Sequence, residues 1–443
     1  MDVSVGECGT ILVAPAASIG DGSAPARGPD FTRAVLDVAG AVLTWPVLGA
    51  PGPPSAQVHD AGRAQQWLWA LYGERVALAV HERATGRAAG SPARVRVPAD
   101  LTALAGDAAR LALGHWTARW WPASYPDGIP VLAPDVLGVE TAALTHRCQQ
   151  LFDDGGDQPD DCAAELVDEH RAALAPLIQW WLAAPTSTPT ARRLEAVLFL
   201  VDAAADAAGL DGPALRHLRA ALAERPSTGA PADPGTLFAR RTGYALAAGA
   251  PTAGGGRVIA RGAGTNDWRR YPPGFVDAAE DAVSWTARAL GAQRRIEVEV
   301  LAHGRAPSGA PLVAEVCVNG VHRGRVPLAR RDDLWAGHGD LDLNGGLLPG
   351  AQPPRVEVAV VLPGFDPGPA PEPAPEPSIG PDAVPGAGAV DDRAARDAVR
   401  ALARRRLAAA APDLPYDVPP HAAASVPFLA ETAAAATAAD EDY

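Results

Sequence analysis

Near Thr236 the apolar pattern of this 443-residue chain changes period, so no single secondary-structure class fits both sides. Before that point apolar residues recur mostly at three- and four-residue spacing. After it they alternate. The first pattern puts one stripe of a helix into a core, and the second puts one face of a strand there. Two kinds of core are therefore required, and 443 residues suffice for two or three domains.

The alternating stretch is the clearer one. Arg295–Ala302 sets Ile296, Val298 and Val300 against Glu297 and Glu299, the mark of a half-buried strand. Leu312–Val318 and Val321–Leu328 flank Asn319-Gly320, and both residues of such a pair tolerate positive φ in a tight hairpin. Arg355–Leu362 supplies a further strand, and one helix is expected at about Val276–Leu290. Residues 236–363 are expected to form a β-rich, sandwich-like domain.

Upstream, residues 134–235 read as a helical region. Leu166, His170, Leu174, Leu177, Ile178 and Trp181 share a face, with Pro176 expected to kink or split the helix. Helices are expected from Thr190 and over Pro213–Glu224. Residues 1–133 read as mixed α/β. Thr10–Pro15 and Arg75–His81 are expected strands, the second pairing with Ala93–Val97. Phe31–Thr44, Arg63–Tyr72 and Leu101–Trp120 are expected helices. Beyond Pro363, residues 364–390 form a Pro-rich linker, extended and semi-rigid. An amphipathic helix spans 391–409, and 410–443 is expected to be a disordered tail with an acidic end. The fold class expected is α+β and multidomain.

Composition excludes several chemistries. No lysine occurs, so all 38 basic side chains are arginine. A P-loop has no lysine to reach the phosphates, and no lysine amine can form a Schiff base. The abundance of Ala, Gly, Pro, Arg and Trp is expected from GC-rich coding, with selection against amine tagging as the alternative reading of the missing lysine. The net charge of −14 argues against nucleic acid and anionic membranes as partners. The apolar stretches near 34–49 and 194–210 carry Asp37 and then Glu195, Asp202 and Asp206, too charged for a membrane span. Cys8, Cys148, Cys162 and Cys317 are scattered and form no C-x-x-C pair, so reduced thiols in a cytoplasmic protein are expected.

The chemical motifs are weak. Asp153-Asp154-Gly155-Gly156-Asp157 has the acidic spacing of a Mg²⁺ site, but its two glycines oppose the helix such a site needs, and an exposed loop is expected. The histidines, among them His59, His81, His115, His146 and His170, lack metal-ligand spacing. Gly20-Asp21-Gly22-Ser23 is glycine-rich but lacks the spacing of a phosphate loop. Cys8 has no histidine tied to it by sequence. Arg257, Arg261, Trp268, Arg269, Arg270 and Tyr271 interleave cations with rings, and intramolecular ion pairs are expected there. No cofactor or metal is expected.

Interaction features are stronger. Trp116 and Trp120 are expected to bury together, leaving Trp121 as the surface tryptophan. On the helix 391–409, Arg393, Arg396, Arg400 and Arg404 recur at helical spacing, beside a stripe of Ala395, Val399 and Leu402. These arginines and Trp121 are the candidate partner-binding residues. The expected function is a non-catalytic scaffold binding a protein partner. The alternatives are an enzyme with its site in the N-terminal α/β part, and a structural component of a viral or bacterial assembly.

Overall fold

The computed structural model describes residues 1–6, 9–15, 29–49, 52–87, 93–96, 102–153, 162–185, 188–223, 237–238, 257–264, 266–291, 293–303, 309, 311–319, 321–341, 355–365, 387–410 and 426–440, the side chains of 387–391 and 438–440 excepted. It is a mixed α+β protein, with three antiparallel sheets and ten helices among those residues. Two compact units are formed. Unit 1 takes Met1–Ala118, Leu132–Ala239 and Ala394–Tyr443, and unit 2 takes Arg119–Val131 and Arg240–Arg393. Neither unit is one continuous stretch of chain.

Unit 1 holds a six-stranded sheet built from β1 (Asp2–Val5), β2 (Ile11–Ala14), β3 (Arg33–Val38), β4 (Ala41–Pro46), β5 (Ser55–Val58) and β6 (Ala93–Arg94), ordered β3-β4-β5-β2-β1-β6. The helix expected over Phe31–Thr44 is the β3–β4 hairpin instead. Ala34, Leu36 and Val38, then Ala41, Leu43 and Trp45, are buried with period two. Ala39-Gly40 makes the turn. Gly40 has φ +76°, and a Cβ there would lie 2.3 Å from the Asp60 carbonyl oxygen, so only glycine fits. The apolar residues on both sides of that turn imitate a helical stripe.

The opposite error occurs at Arg75–His81. That segment lies within α2 (Glu74–Ala84), which pairs with α1 (Ala61–Tyr72) across Gly73 and packs on β1 and β2. Val76, Val80 and Arg83 recur at helical spacing and are buried. The expected partner of that segment, Ala93–Arg94, pairs with β1. Asp60 caps α1 by accepting the Gly62 and Arg63 N–H groups.

The helical part of unit 1 begins with α3 (Ala103–Trp120), whose last two residues belong to unit 2, and α4 (Pro134–Arg147). Every residue from Val136 to Thr145 is buried, the signature of a helix surrounded by neighbours. Around it pack α5 (Cys162–Glu169), α6 (Leu174–Ala183) and α7 (Pro189–Ala207), with α8 (Pro213–Ala223) against α6 and α7. The long helix expected through Pro176 is broken earlier, at His170. Pro176 sits in the first turn of α6, where its missing N–H costs no hydrogen bond.

Then α9 (Ala387–Ala410) and α10 (Leu429–Asp440) follow. The expected disordered tail thus contains a helix. Phe428, Leu429, Ala430, Ala433 and Ala434 are buried, and α10 packs on α4. The alanine-rich sequence reads as a polar-poor tail, yet small side chains let one helix approach another closely. Most of the linker, 366–386, lies outside the described residues.

Unit 2 has two sheets. One has five strands, β7 (Arg257–Ala263), β8 (Val283–Leu290), β9 (Gln293–Leu301), β12 (Ala329–Arg331) and β13 (Leu334–Asp340), in the order β12-β13-β9-β8-β7. The other is β11 (Val321–Pro327), β10 (Val313–Val318) and β14 (Val356–Val361). The helix expected at Val276–Leu290 is wrong, because Val283, Trp285 and Ala287 alternate inward along β8. Ile296, Val298 and Val300 are buried as expected, and so are Ala314, Val316 and Val318 on one face of β10. On β13, a Cβ on Gly337 would lie 2.2 Å from the Pro327 carbonyl oxygen, so backbone meets backbone there.

Val318 pairs with Val321, leaving a two-residue connection. Asn319 takes φ +51°, as such a turn requires; Gly320 lies outside the described residues. Asn319 also exchanges bonds with Arg355, donating its N–H at 2.8 Å and accepting through Oδ1 at 3.0 Å. Asn319→Val is expected to destabilise unit 2 by about 1–2 kcal/mol, because a β-branched residue resists positive φ. Asn319→Gly should cost less. Urea midpoints of both variants test this, and equal midpoints would contradict the turn geometry.

Candidate functional site

The candidate partner-binding arginines do not share one exposed surface. Arg393 is exposed, 4.0 Å from Glu280 Oε1, and Arg404 is exposed. Arg396 and Arg400 are each only 3% exposed, and Arg400 bonds Asp397. The buried face of α9 is Arg396, Val399, Arg400, Ala403 and Arg406. Helical spacing places the arginine stripe and the apolar stripe on adjoining sectors, and packing covers the boundary between them. Arginine stems can line such an interior while the guanidinium finds acceptors. Trp121 is likewise not a surface residue. It is 9% exposed, and its Nε1 donates to the Pro130 carbonyl at 2.9 Å.

A charge cluster that spacing did not reveal closes unit 1. Glu431, with 0% exposure, takes a two-pronged bond from Arg406 Nε and one terminal nitrogen, both at 2.7 Å. Glu431 also accepts the Phe428 N–H at 2.5 Å, the backward half of a capping box at the start of α10. Glu140, buried in α4, accepts the Leu429 N–H at 2.7 Å and pairs with Arg110 at 2.6 Å and Arg193 at 3.5 Å. Burial pushes the Glu140 carboxyl up. The guanidinium groups of Arg110 and Arg193, with the Arg110 and Leu429 hydrogen bonds, outweigh that and hold it below the ordinary carboxylate value. The guanidinium groups of Arg110 and Arg406 lie 4.8 and 5.4 Å from the Phe428 ring centre. The one legible hint was Glu431 three residues after Phe428. The other partners lie far away in sequence.

Unit 2 contains a cleft of about 30 Å³. Its lining includes Arg119, Trp120, Trp121, Trp268, Tyr271 and His303. Arg119 stacks on Trp120 at 3.8 Å, lies 5.4 Å from the Phe365 ring and donates to the Trp268 carbonyl at 3.3 Å. The bonds that hold the loop carrying Trp121 include Ala278 N–H to the Ala123 carbonyl at 3.0 Å and Tyr125 N–H to the Asp277 carboxylate at 2.9 Å. Behind the cleft, buried Asn266 donates to the Asp277 and Ala279 carbonyls and accepts the Tyr271 hydroxyl. The arginines beside Trp268 form the expected intramolecular pairs. Arg269 meets Asp267 at 2.8 Å and Asp392 at 3.1 Å, and Arg270 meets Glu315 at 3.2 Å.

The remaining sequence candidates do not converge. His59, His81 and His115 are exposed, and His170 pairs with Asp135 at 3.3 Å. Asp153 is exposed, while Asp154–Asp157, Cys8 and Gly20–Ser23 lie outside the described residues. Cys148 is buried, and burial pushes its thiol up to about 12. Among the described residues, no group of three or more His, Cys, Asp or Glu side chains could hold a metal ion. Nor is any described helix long and apolar enough to cross a membrane.

Two helices of unit 1 each expose a large apolar side chain. On α1 Trp69 is 60% exposed, and on α2 Leu78 is 55% exposed. Both lie within five residues of the Gly73 corner. The same helices bury Trp67, Leu68, Leu71, Val76 and Val80. No protein-family model, curated protein or solved structure matches the chain.

Proposed function

We propose that this protein works by binding a protein partner, as a cytoplasmic, non-catalytic scaffold, and that the α1–α2 corner of unit 1 makes the contact. The observation that carries this reading is Trp69. Folding has already supplied α1 with a buried indole at Trp67, whose Nε1 donates to the Ala39 carbonyl at 2.9 Å. A second indole held out on the opposite face adds nothing to the core. Tryptophan is the residue most enriched at binding hot spots, where a neighbouring aliphatic side chain helps exclude water. Leu78, five residues beyond Gly73 on α2, is a second exposed apolar side chain near the same corner.

The test is site-specific photocrosslinking in the native host. A photoreactive phenylalanine is placed at Trp69, at Leu78 and, as a control, at exposed Ala196. Adducts of one defined mass from the first two positions, absent from the third and lost with Leu78→Asp, are the expected result. An adduct of twice the chain mass would identify a second copy as the partner. Equal yields at all three positions would overturn the proposal.

A further inference from the structure

We infer that the unit 2 cleft binds the carboxylate of a small organic acid with a flat apolar body, held by Arg119. This site is independent of the α1–α2 surface. Its lining combines one guanidinium with aromatic rings and contains no acidic residue. No carboxylate oxygen lies within ion-pair distance of Arg119 among the described residues, although Arg269, Arg270 and Arg288 all have one. Asp277, next in sequence to the lining residues Val276 and Ala278, is occupied by the Tyr125 and Ala279 N–H groups.

The Arg119 fork is partly prepared for such a ligand. Stacking on Trp120 fixes its plane, and the single bond to the Trp268 carbonyl leaves further N–H donors for a two-pronged contact. Burial lowers the affinity of this guanidinium for its proton. The polar ends of two wall residues are already used, Trp121 Nε1 by the Pro130 carbonyl and the Tyr271 hydroxyl by Asn266. What these rings offer the cleft is therefore carbon. The volume suits a carboxylate head, on the scale of about two waters. It does not suit a nucleoside phosphate. The acid's apolar body would lie against the indoles at the mouth.

Benzoate and 2-naphthoate, titrated into the full chain by calorimetry, are the probes, with neutral benzamide as the control. Saturable binding of at least one acid is expected, about tenfold or more tighter than benzamide. Arg119→Gln should weaken the acid by about ten- to a hundredfold, the scale of a charge-assisted hydrogen bond, and leave benzamide unchanged. Arg119→Lys keeps the charge without the fork and should fall between. Trp120→Leu should weaken acid and amide alike. Should Arg119→Gln not fold, the acid-to-amide ratio in the native chain and in Arg119→Lys decides. Acid binding no tighter than benzamide, no saturation by either acid, or undiminished acid binding in Arg119→Gln would each overturn the inference.

Discussion

Glu431→Gln is expected to destabilise unit 1 by about 3–5 kcal/mol, the cost of leaving one partner of a buried ion pair uncompensated. Glutamine can still accept the Phe428 N–H, so the start of α10 keeps its cap. What is lost is the charge facing Arg406, which cannot shed its own proton. Arg406→Met should cost a similar amount, by leaving the Glu431 carboxylate buried without its cation. The combined variant should cost no more than either change alone, because neither charge is then stranded. Urea unfolding followed by far-UV circular dichroism measures all three. Additive costs would mean that the pair is not coupled. Removing residues 426–443 should be still more damaging, since α4 would lose the helix packed on it and Arg406 its buried carboxylate. The C-terminal segment is thus an integral part of unit 1, not a passenger.

The same cluster sets an acid limit on stability. Glu140 is held below the ordinary carboxylate value in the folded state. A depressed folded value means that its contribution is fully present above the unfolded value, about 4.3, and is lost as pH falls through the lower folded value. Glu140→Gln should flatten the acid side of the stability profile of unit 1. An unchanged slope between native and variant would remove Glu140 from the cause of acid unfolding.

Trp335→Ala should destabilise unit 2 by about 3–5 kcal/mol, the scale for deleting a large aromatic side chain from a core. Trp335 is fully buried on β13, and its Nε1 donates to the Phe275 carbonyl at 2.9 Å, tying the strand to the loop before β8. The cavity would open beside Val298 and Val300 on β9, which pairs with β13, so the loss is not confined to one contact. Thermal unfolding of the variant tests this. A shift smaller than that of Asn319→Val would show that the core of unit 2 is centred elsewhere.

The long elements were legible because their apolar spacing is repeated. α1, α3, α7, α8 and α9 were readable as helices, and β9, β10, β11 and β14 as strands. The failures share one cause. Phe31–Thr44 and Val276–Leu290 carry apolar residues dense enough to satisfy either period, and a glycine turn at Gly40 or a strand start at Val283 decides between them. Arg75–His81 failed in the other direction, since seven residues of a helix can alternate by chance. α10 was missed because alanine gives almost no amphipathic signal.

The change of period, the Asn319 turn, the lysine-free chemistry and the helical character of 391–409 follow from the order of the residues alone. These are local, or sums over the whole chain, and need no partner to be read. Which side of α9 is buried, that Trp121 is covered while Trp69 is exposed, and that Arg119 meets rings from distant segments depend on the packed fold. It alone brought Glu140, Arg110, Arg406 and Glu431 together. A side chain's burial and charge environment depend on which remote surface packs against it, and helical or strand spacing names a face without naming its neighbour.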